Sequence, residues 1–201
     1  VMAHSPIGRA LICVAAGLVL LTACSRTPPA DSSAPPQTPV NADAQALAAF
    51  QARVNEYAEL HRKLDRTLPA LTKEATPEEI DRHERALAAL VQDARKDSKP
   101  GDLFTPESQA VIKRILARIF GGEDGRALKA SIMDENPVGV KLSVNGRYPD
   151  EVPLSTVPPQ VLAALPRLPE ELEVRFIGHR LILLDVGAHT VADFIDQALP
   201  D

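Results

Sequence analysis

The sequence contains little cysteine, few aromatic residues and no excess of basic charge. Of its 201 residues, two are Cys, five are Phe, two are Tyr and none is Trp. The 22 basic and 27 acidic side chains give a formal charge of -5. Neutralising phosphate requires a clustered excess of Lys and Arg, so nucleic acid is not the expected partner. The share of apolar residues, 45%, is that of a globular protein, which excludes a wholly disordered chain and a polytopic membrane protein.

The N-terminal segment has the features of a secretory signal. Arg9 precedes an apolar run, residues 10–21, that is too short to cross a bilayer core of about 30 Å. Its length is typical of the apolar region of a signal peptide. The residues at its end resemble the lipobox of bacterial lipoproteins and read Leu21-Thr22-Ala23-Cys24. This resemblance implies a lipoprotein signal peptide over residues 1–23 and lipidation of Cys24, which becomes the new N-terminus. An ordinary secretory peptide cut near Ala23 is the alternative.

The two cysteines limit the chemistry of the mature chain. Cys13 lies in the segment to be removed and Cys24 would carry lipid, so neither a free thiol nor a disulfide would remain. Thiol catalysis and Cys-based zinc sites are thereby excluded. Several acyl chains on Cys24 would hold the protein on a membrane leaflet, facing the periplasm. By the sorting rules of lipoproteins in enteric-type bacteria, Ser25 favours the outer membrane.

A proline-rich segment follows the lipobox. Residues 24–42 are interpreted as the acylated cysteine and a tether, because residues 25–41 contain five prolines among small polar side chains. Such a composition cannot bury a core and favours extended polyproline conformations. The folded part is therefore expected to begin near Ala42 and to have the size of one domain.

Residues 43–133 are predicted to be helical. Apolar side chains with 3,4 spacing predict helices over residues 43–68, 76–96, 105–120 and 124–133. The second and third helices begin with Thr-Pro-Glu, which supplies a capping hydroxyl and a proline at the first helical position. The first two helices are joined by a short loop and are expected to pack as an antiparallel hairpin. The third is the most apolar and is expected in the centre of the core.

An alternating pattern predicts antiparallel strands within residues 134–201. Residues 138–144 alternate apolar with small or polar side chains, and Asn145-Gly146 is suited to a type I′ hairpin turn from which Arg147-Tyr148 returns. A second hairpin is expected over residues 173–186, about Gly178-His179. Its register gives one apolar face with two cross-strand pairs, Phe176 with Leu181 and Val174 with Leu183.

Short helices complete this C-terminal region in our interpretation. A proline-initiated helix is expected over residues 156–165, and apolar spacing over residues 191–199 predicts a closing helix. The predicted fold class is therefore α+β. An N-terminal helical hairpin or bundle precedes a small antiparallel sheet with one or two short helices.

Four stretches of the C-terminal half carry distinctive motifs. They are DENPVGV at residues 134–140, VNGRYP at 144–149, LPEELEVRF at 168–176 and DFI at 193–195. Together they resemble a family of uncharacterised bacterial envelope proteins of unknown function. The resemblance covers roughly residues 100–200. It implies an envelope context and assigns no catalytic residues.

One group of side chains has the composition of a metal site. His179, Asp185, His189 and Asp193 fall close together in sequence, and imidazole with carboxylate suits Zn²⁺ or Mn²⁺. His179 lies in a predicted turn about 20 Å from Asp185 along the strand, so these two cannot share an ion. His189 and Asp193 would be i, i+4 neighbours if the closing helix began early enough. Solvated polar residues at the end of an element are the commoner explanation.

A hydrolytic site is weakly indicated. Ser155, Asp185 and His189 supply the residue types of a catalytic triad, but no Gly-x-Ser-x-Gly elbow surrounds any Ser. Asp134-Glu135 offers adjacent carboxylates, which more commonly end a helix. His61 interrupts the apolar stripe of the first helix; it is a ligand, a pH-sensitive group or, most commonly at such a position, a core-edge histidine with a hydrogen-bonded nitrogen.

Two functional hypotheses follow from these observations. The first is a lipid-anchored module without cofactor or metal that binds the membrane through its anchor and another envelope protein through its folded part. The second is an envelope hydrolase or metal-dependent enzyme that uses His189, Asp193, Asp185 or Asp134. The long tether and the scarcity of catalytic residue types favour the first.

Overall fold

The structure, a computed structural model, describes residues 41–136 and 139–200. The signal peptide, Cys24 and all but the last residues of the tether lie outside this part of the chain. The elements in chain order are α1 (Ala42–Asp65), α2 (Pro77–Ala94), α3 (Pro106–Phe120), α4 (Glu123–Glu135), α5 (Pro159–Ala164), β1 (Leu172–Ile177), β2 (Arg180–Asp185) and β3 (Thr190–Ile195). Helices precede a three-stranded antiparallel sheet, which confirms the α+β prediction. None of the described helices is both long and apolar enough to cross a membrane.

Side-chain caps define where the long helices begin. The side chain of Asn41 accepts the backbone N–H of Asp43 at the start of α1. Thr76 and Glu79 form the predicted capping box of α2, in which each side chain accepts the other residue's backbone N–H. Thr105 caps α3 in a similar way. These caps pair amide groups that the first helical turn leaves without partners.

Helix α3 occupies the middle of the helical layer and contacts α1, α4 and α5. Leu116 at its centre is completely buried. Phe50 of α1 stacks on Phe104 just before α3, with ring centroids 4.9 Å apart. At the other end of α3, the edge of one ring meets the face of another where Phe120 contacts Phe176 of β1. The helical layer and the sheet therefore share one apolar core.

The sheet has the strand order β1-β2-β3, with both pairs antiparallel. The predicted second hairpin is confirmed, and the register pairs Phe176 with Leu181 and Val174 with Leu183. That face packs on the helices. The opposite face is also buried, in a second cluster made of Tyr148, Ile177, Ile182, Leu184 and Val191.

The predicted closing helix over residues 191–199 is wrong, because residues 190–195 form β3. Their spacing suits either element, but β2 would otherwise keep one unpaired edge. Strand β3 pairs Ile195 with Leu181 and Asp193 with Leu183, and the register shifts after Leu183. Backbone groups of β2 are satisfied in this way, which a helix cannot do. One short helix, α5, is present after α4 in the described residues.

The predicted first hairpin is also wrong in its described part, residues 139–148, where no strand forms and Arg147 makes an isolated bridge to Thr190 instead. The turn is centred one residue earlier, since the N–H of Gly146 bonds the carbonyl of Ser143 at 3.0 Å. Asn145 takes a positive φ of 59° in the third turn position, whereas a type I′ turn about Asn145-Gly146 requires two positive values. The segment then pairs through its backbone with the start of β3. The N–H of Asn145 donates to the carbonyl of Val191, and the N–H of Val191 donates to the carbonyl of Gly146.

Candidate functional site

Asp185 lies at the centre of a buried polar cluster that joins α1 to the sheet. Its Oδ2 accepts the hydroxyl of Tyr57 at 2.6 Å and lies 2.8 Å from Nδ1 of His61. Its Oδ1 accepts the backbone N–H of Ala188 at 2.8 Å. Tyr57 and His61 are four residues apart, so one face of α1 presents both. The interpretation of His61 as a core-edge histidine with a hydrogen-bonded nitrogen is confirmed.

Burial and the charge of Asp185 shift the pKa values of its two side-chain partners, Tyr57 and His61. Burial, with the negative charge of Asp185, raises the pKa of the Tyr57 hydroxyl well above its ordinary value. Burial also opposes protonation of His61, but the hydrogen bond and charge of Asp185, with weaker contributions from Glu171 and Asp65, raise its pKa overall. Tyr57 therefore stays a neutral donor. His61 binds a proton more readily than a free imidazole, and its Nδ1 donates to the carboxylate.

Arg95 lies beside this cluster and connects α2 to β3. Its guanidinium stands over the ring of Tyr57, 4.8 Å from the centroid. One nitrogen donates to Oδ1 of Asn145 at 2.6 Å and to the carbonyl of Ala192 at 3.1 Å. Asn145 returns a bond to the carbonyl of Arg95 at 2.9 Å. These bonds fix the turn that contains Asn145 against the end of α2.

Asp193 holds the loop that leads into α3. Its Oδ1 accepts the N–H of Gly101 at 3.0 Å, and its Oδ2 accepts those of Leu103 and Phe104, both at 2.9 Å. The side chain is completely buried. Both of its oxygens therefore already have protein donors. This carboxylate organises a loop and presents no open position to an ion or a substrate.

The alternative of a metal site that uses His189 and Asp193 as i, i+4 ligands is not supported. His189 is not helical: it precedes β3 with a positive φ of 49°, and its Nε2 lies 3.7 Å from Asp150. Asp185 bonds α1 and Asp193 bonds the loop before α3. His189, Asp185 and Asp193 therefore contact different parts of the chain and do not converge on one site. Across residues 41–136 and 139–200, no three His, Cys, Asp or Glu side chains are grouped closely enough to hold a metal ion.

Ser155, Asp134 and His179 are the remaining candidate residues. The hydroxyl of Ser155 donates to the carbonyl of Phe176 at 2.7 Å and accepts its N–H at 3.0 Å, so it closes one position on the outer edge of β1. The alternative of a triad of Ser155, Asp185 and His189 is therefore not supported, because the hydroxyl of Ser155 is already bonded to backbone. Asp134 is exposed near the end of α4, and His179 lies in the β1–β2 turn.

An apolar cavity of about 290 Å³ opens beside the outer edge of β1. The segment 162–168 forms one wall. The apolar residues that line it include Phe50, Phe104, Ile112, Leu162, Leu165 and Val174. Arg167, Glu173 and Arg175 add charge to the lining. This combination of an apolar interior with a few polar groups is typical of a small-ligand site.

Sequence reasoning missed both the cluster and the cavity. Asp185 and Tyr57 are 128 residues apart in the sequence, and local periodicity does not predict contacts between residues so far apart. A signal was present, because Tyr57 and His61 are two polar groups on one buried stripe and require a buried partner. Comparisons of the chain with protein-family models, with curated proteins and with solved structures find no match.

Proposed function

We propose that this chain is a lipid-anchored, non-catalytic binding module of the bacterial cell envelope. The lipobox ending in Cys24 and the proline-rich residues 25–41 support anchoring. Seventeen extended residues at about 3.1 Å each reach roughly 50 Å, enough to hold a folded domain clear of the membrane. Ser25 favours the outer membrane, and the resemblance of the C-terminal motifs to envelope proteins agrees with this location.

The proposal that the module is non-catalytic rests on one observation: the two buried carboxylates, Asp185 and Asp193, are both bonded to other parts of the chain. Asp185 accepts hydrogen bonds from Tyr57, His61 and Ala188, and Asp193 accepts three from the loop before α3. A general base or metal ligand needs a lone pair directed at substrate or ion. These carboxylates instead join distant segments of the chain, while the cavity beside β1 offers an accessible surface for binding.

Metabolic labelling tests the anchor. Cells that produce the chain are grown with radiolabelled palmitate and fractionated. We expect label in the membrane-bound wild-type protein and in a Cys13→Ala variant, the matched control, and no label in Cys24→Ala. Uncleaved, unlabelled wild-type protein in the cytosol would contradict the proposal.

Crosslinking tests the binding role. The wild-type chain is crosslinked in intact membranes and purified, and co-purified proteins and lipids are identified. A partner that is recovered reproducibly with the wild-type chain, and is lost when a residue of the cavity lining such as Leu162 is substituted, would support the proposal. Turnover of ester, peptide or glycan substrates that is abolished by His189→Ala would overturn it in favour of an enzyme.

A further inference from the structure

The outer edge of β1 is the side that faces away from β2. At two positions along it, the backbone N–H already bonds another segment of the chain, and we call these positions closed. The N–H of Leu172 donates to the carbonyl of Pro169 at 3.1 Å, and that of Phe176 donates to the hydroxyl of Ser155 at 3.0 Å. Both amides thus point away from β2. Alternate residues of an antiparallel strand direct their backbone groups to the same side. The N–H and carbonyl of Val174, midway between them, therefore also point away from β2.

At Val174 this edge meets the cavity. Val174 lines the cavity and is only 4% exposed. Because its backbone groups point away from β2, we infer that they lie beside this largely apolar space. The carbonyl has a long contact of 3.4 Å from the guanidinium of Arg175. The stacked rings of Phe50 and Phe104 belong to the same lining. A ligand oxygen beside Val174 would accept its N–H where water competes poorly.

The charged groups of the lining favour an anion. Arg175 binds Glu173 through one terminal nitrogen at 2.7 Å, while its Nε is buried and has no hydrogen-bond partner among the described residues. Within the same described part of the chain, no carboxylate lies within 4.0 Å of the guanidinium of Arg167. The lining thus includes two guanidinium groups, that of Arg167 being exposed, and one carboxylate. The excess positive charge complements a single negative group.

We propose that this cavity binds the anion of a medium-length acyl carboxylate. The chain lies among the apolar side chains, and the carboxylate lies between the N–H of Val174 and the guanidinium of Arg167. The volume, about 290 Å³, is near the lower end of the range for ligand sites, which favours a single acyl chain of medium length over a diacyl lipid. The closed positions at Leu172 and Phe176 leave too little free edge for an added peptide strand.

This assignment rests on the proposed function for the source of its ligand, since the tether of an anchored module keeps it within reach of the acyl lipids of a membrane. Binding itself requires only the folded part of the chain. The two proposals can therefore fail separately: palmitate labelling of Cys24 tests the anchor, and photolabelling of the cavity tests the ligand.

The test uses the full chain in lipid nanodiscs with a photoreactive decanoate analogue, followed by mass mapping of labelled peptides. We expect label in the peptides that contain residues 162–175 and competition by decanoate. An analogue with an alcohol head group should label these peptides about tenfold less, because charge-assisted bonds are lost. Arg167→Gln should lower carboxylate labelling by a similar factor. Arg118→Gln, at an exposed arginine of α3 outside the cavity lining, is the matched control and should change nothing.

Four results would overturn the assignment. They are equal labelling by the alcohol analogue, label confined to peptides outside the cavity, wild-type labelling in Arg167→Gln, and stronger competition by a leucine-terminated peptide than by decanoate. The last result would assign the cavity to a protein partner instead.

Discussion

Tyr57 donates a 2.6 Å hydrogen bond to Asp185, a residue 128 positions later in the chain. Both side chains are buried, at 4% and 0% exposure, so water cannot replace the bond if it is broken. His61 binds the same carboxylate oxygen from one helical turn further along α1. The three side chains thus fix the longest helix to the end of β2.

Tyr57→Phe removes one donor to a buried carboxylate and keeps the aromatic ring. We expect the free energy of unfolding, measured by urea denaturation, to fall by about 2 kcal/mol, since hydrogen bonds to charged groups contribute about 1.5–3 kcal/mol. Tyr148→Phe is the matched control. Its hydroxyl bonds a carbonyl at 3.1 Å, so a loss of about 1 kcal/mol is expected. Equal effects of the two substitutions would contradict the role of Asp185.

The raised pKa of His61 makes stability depend on pH. An unfolded histidine titrates near pH 6.5. Because Asp185 raises the pKa of His61 in the folded state, its contribution is fully present below about pH 6.5 and is lost as pH rises through the folded pKa. NMR titration of the ring should give a pKa above that of free histidine, and Asp185→Asn should lower it. A His61 pKa below 6.5 in the wild-type protein would contradict the cluster.

Gly187 lies against the ring of His61. A Cβ at this position would approach ring atoms Cε1 and Nε2 at 2.9 and 3.2 Å. We therefore expect Gly187→Ala to displace the ring and to reduce the free energy of unfolding by about 1–3 kcal/mol. Gly122→Ser is the control, since a Cβ at Gly122 meets nothing within 4 Å and serine suits a helix N-cap. A Gly187→Ala protein with unchanged stability and an unchanged His61 titration would rule out this contact.

Asp193→Asn replaces an acceptor of three loop amides by a group that also donates. At least one amide of the loop before α3 then loses its partner, and we expect a loss of about 3 kcal/mol. Amide hydrogen exchange of Leu103 and Phe104 should accelerate beyond the global change. Unchanged exchange at these two amides would show that Asp193 does not hold the loop.

Local signals predicted the elements whose partners are near in sequence. The Thr76 capping box and the hairpin about Gly178-His179 depend on residues within a few positions, and both form as expected. Residues 191–199 fitted a helix by spacing, but the free edge of β2 selected a strand. The two wrong predictions of elements, this helix and the first hairpin, have different causes. Strand β3 pairs with its sequence neighbour β2 across a short loop, and the local spacing fitted a helix as well as a strand. The turn that contains Asn145 instead bonds Val191, a residue far along the chain.

The candidate site was less accessible to sequence reasoning because, as at that turn, its partners lie far apart in the chain. His61 was recognisable on its stripe, but the acid that it meets comes from a distant strand. The cavity lies beside Val174, between two strand positions, Leu172 and Phe176, whose backbone N–H groups are bonded by other segments. Such a pattern depends on tertiary packing and has no counterpart in local periodicity.

Lipid anchoring at Cys24 can be measured by mass spectrometry of the N-terminal peptide from protein purified out of membranes. We expect a peptide that begins at Cys24 and carries acyl groups on that residue. A mature peptide that begins at another residue, or one that begins at Cys24 without acyl groups, would contradict a lipid-anchored binding module.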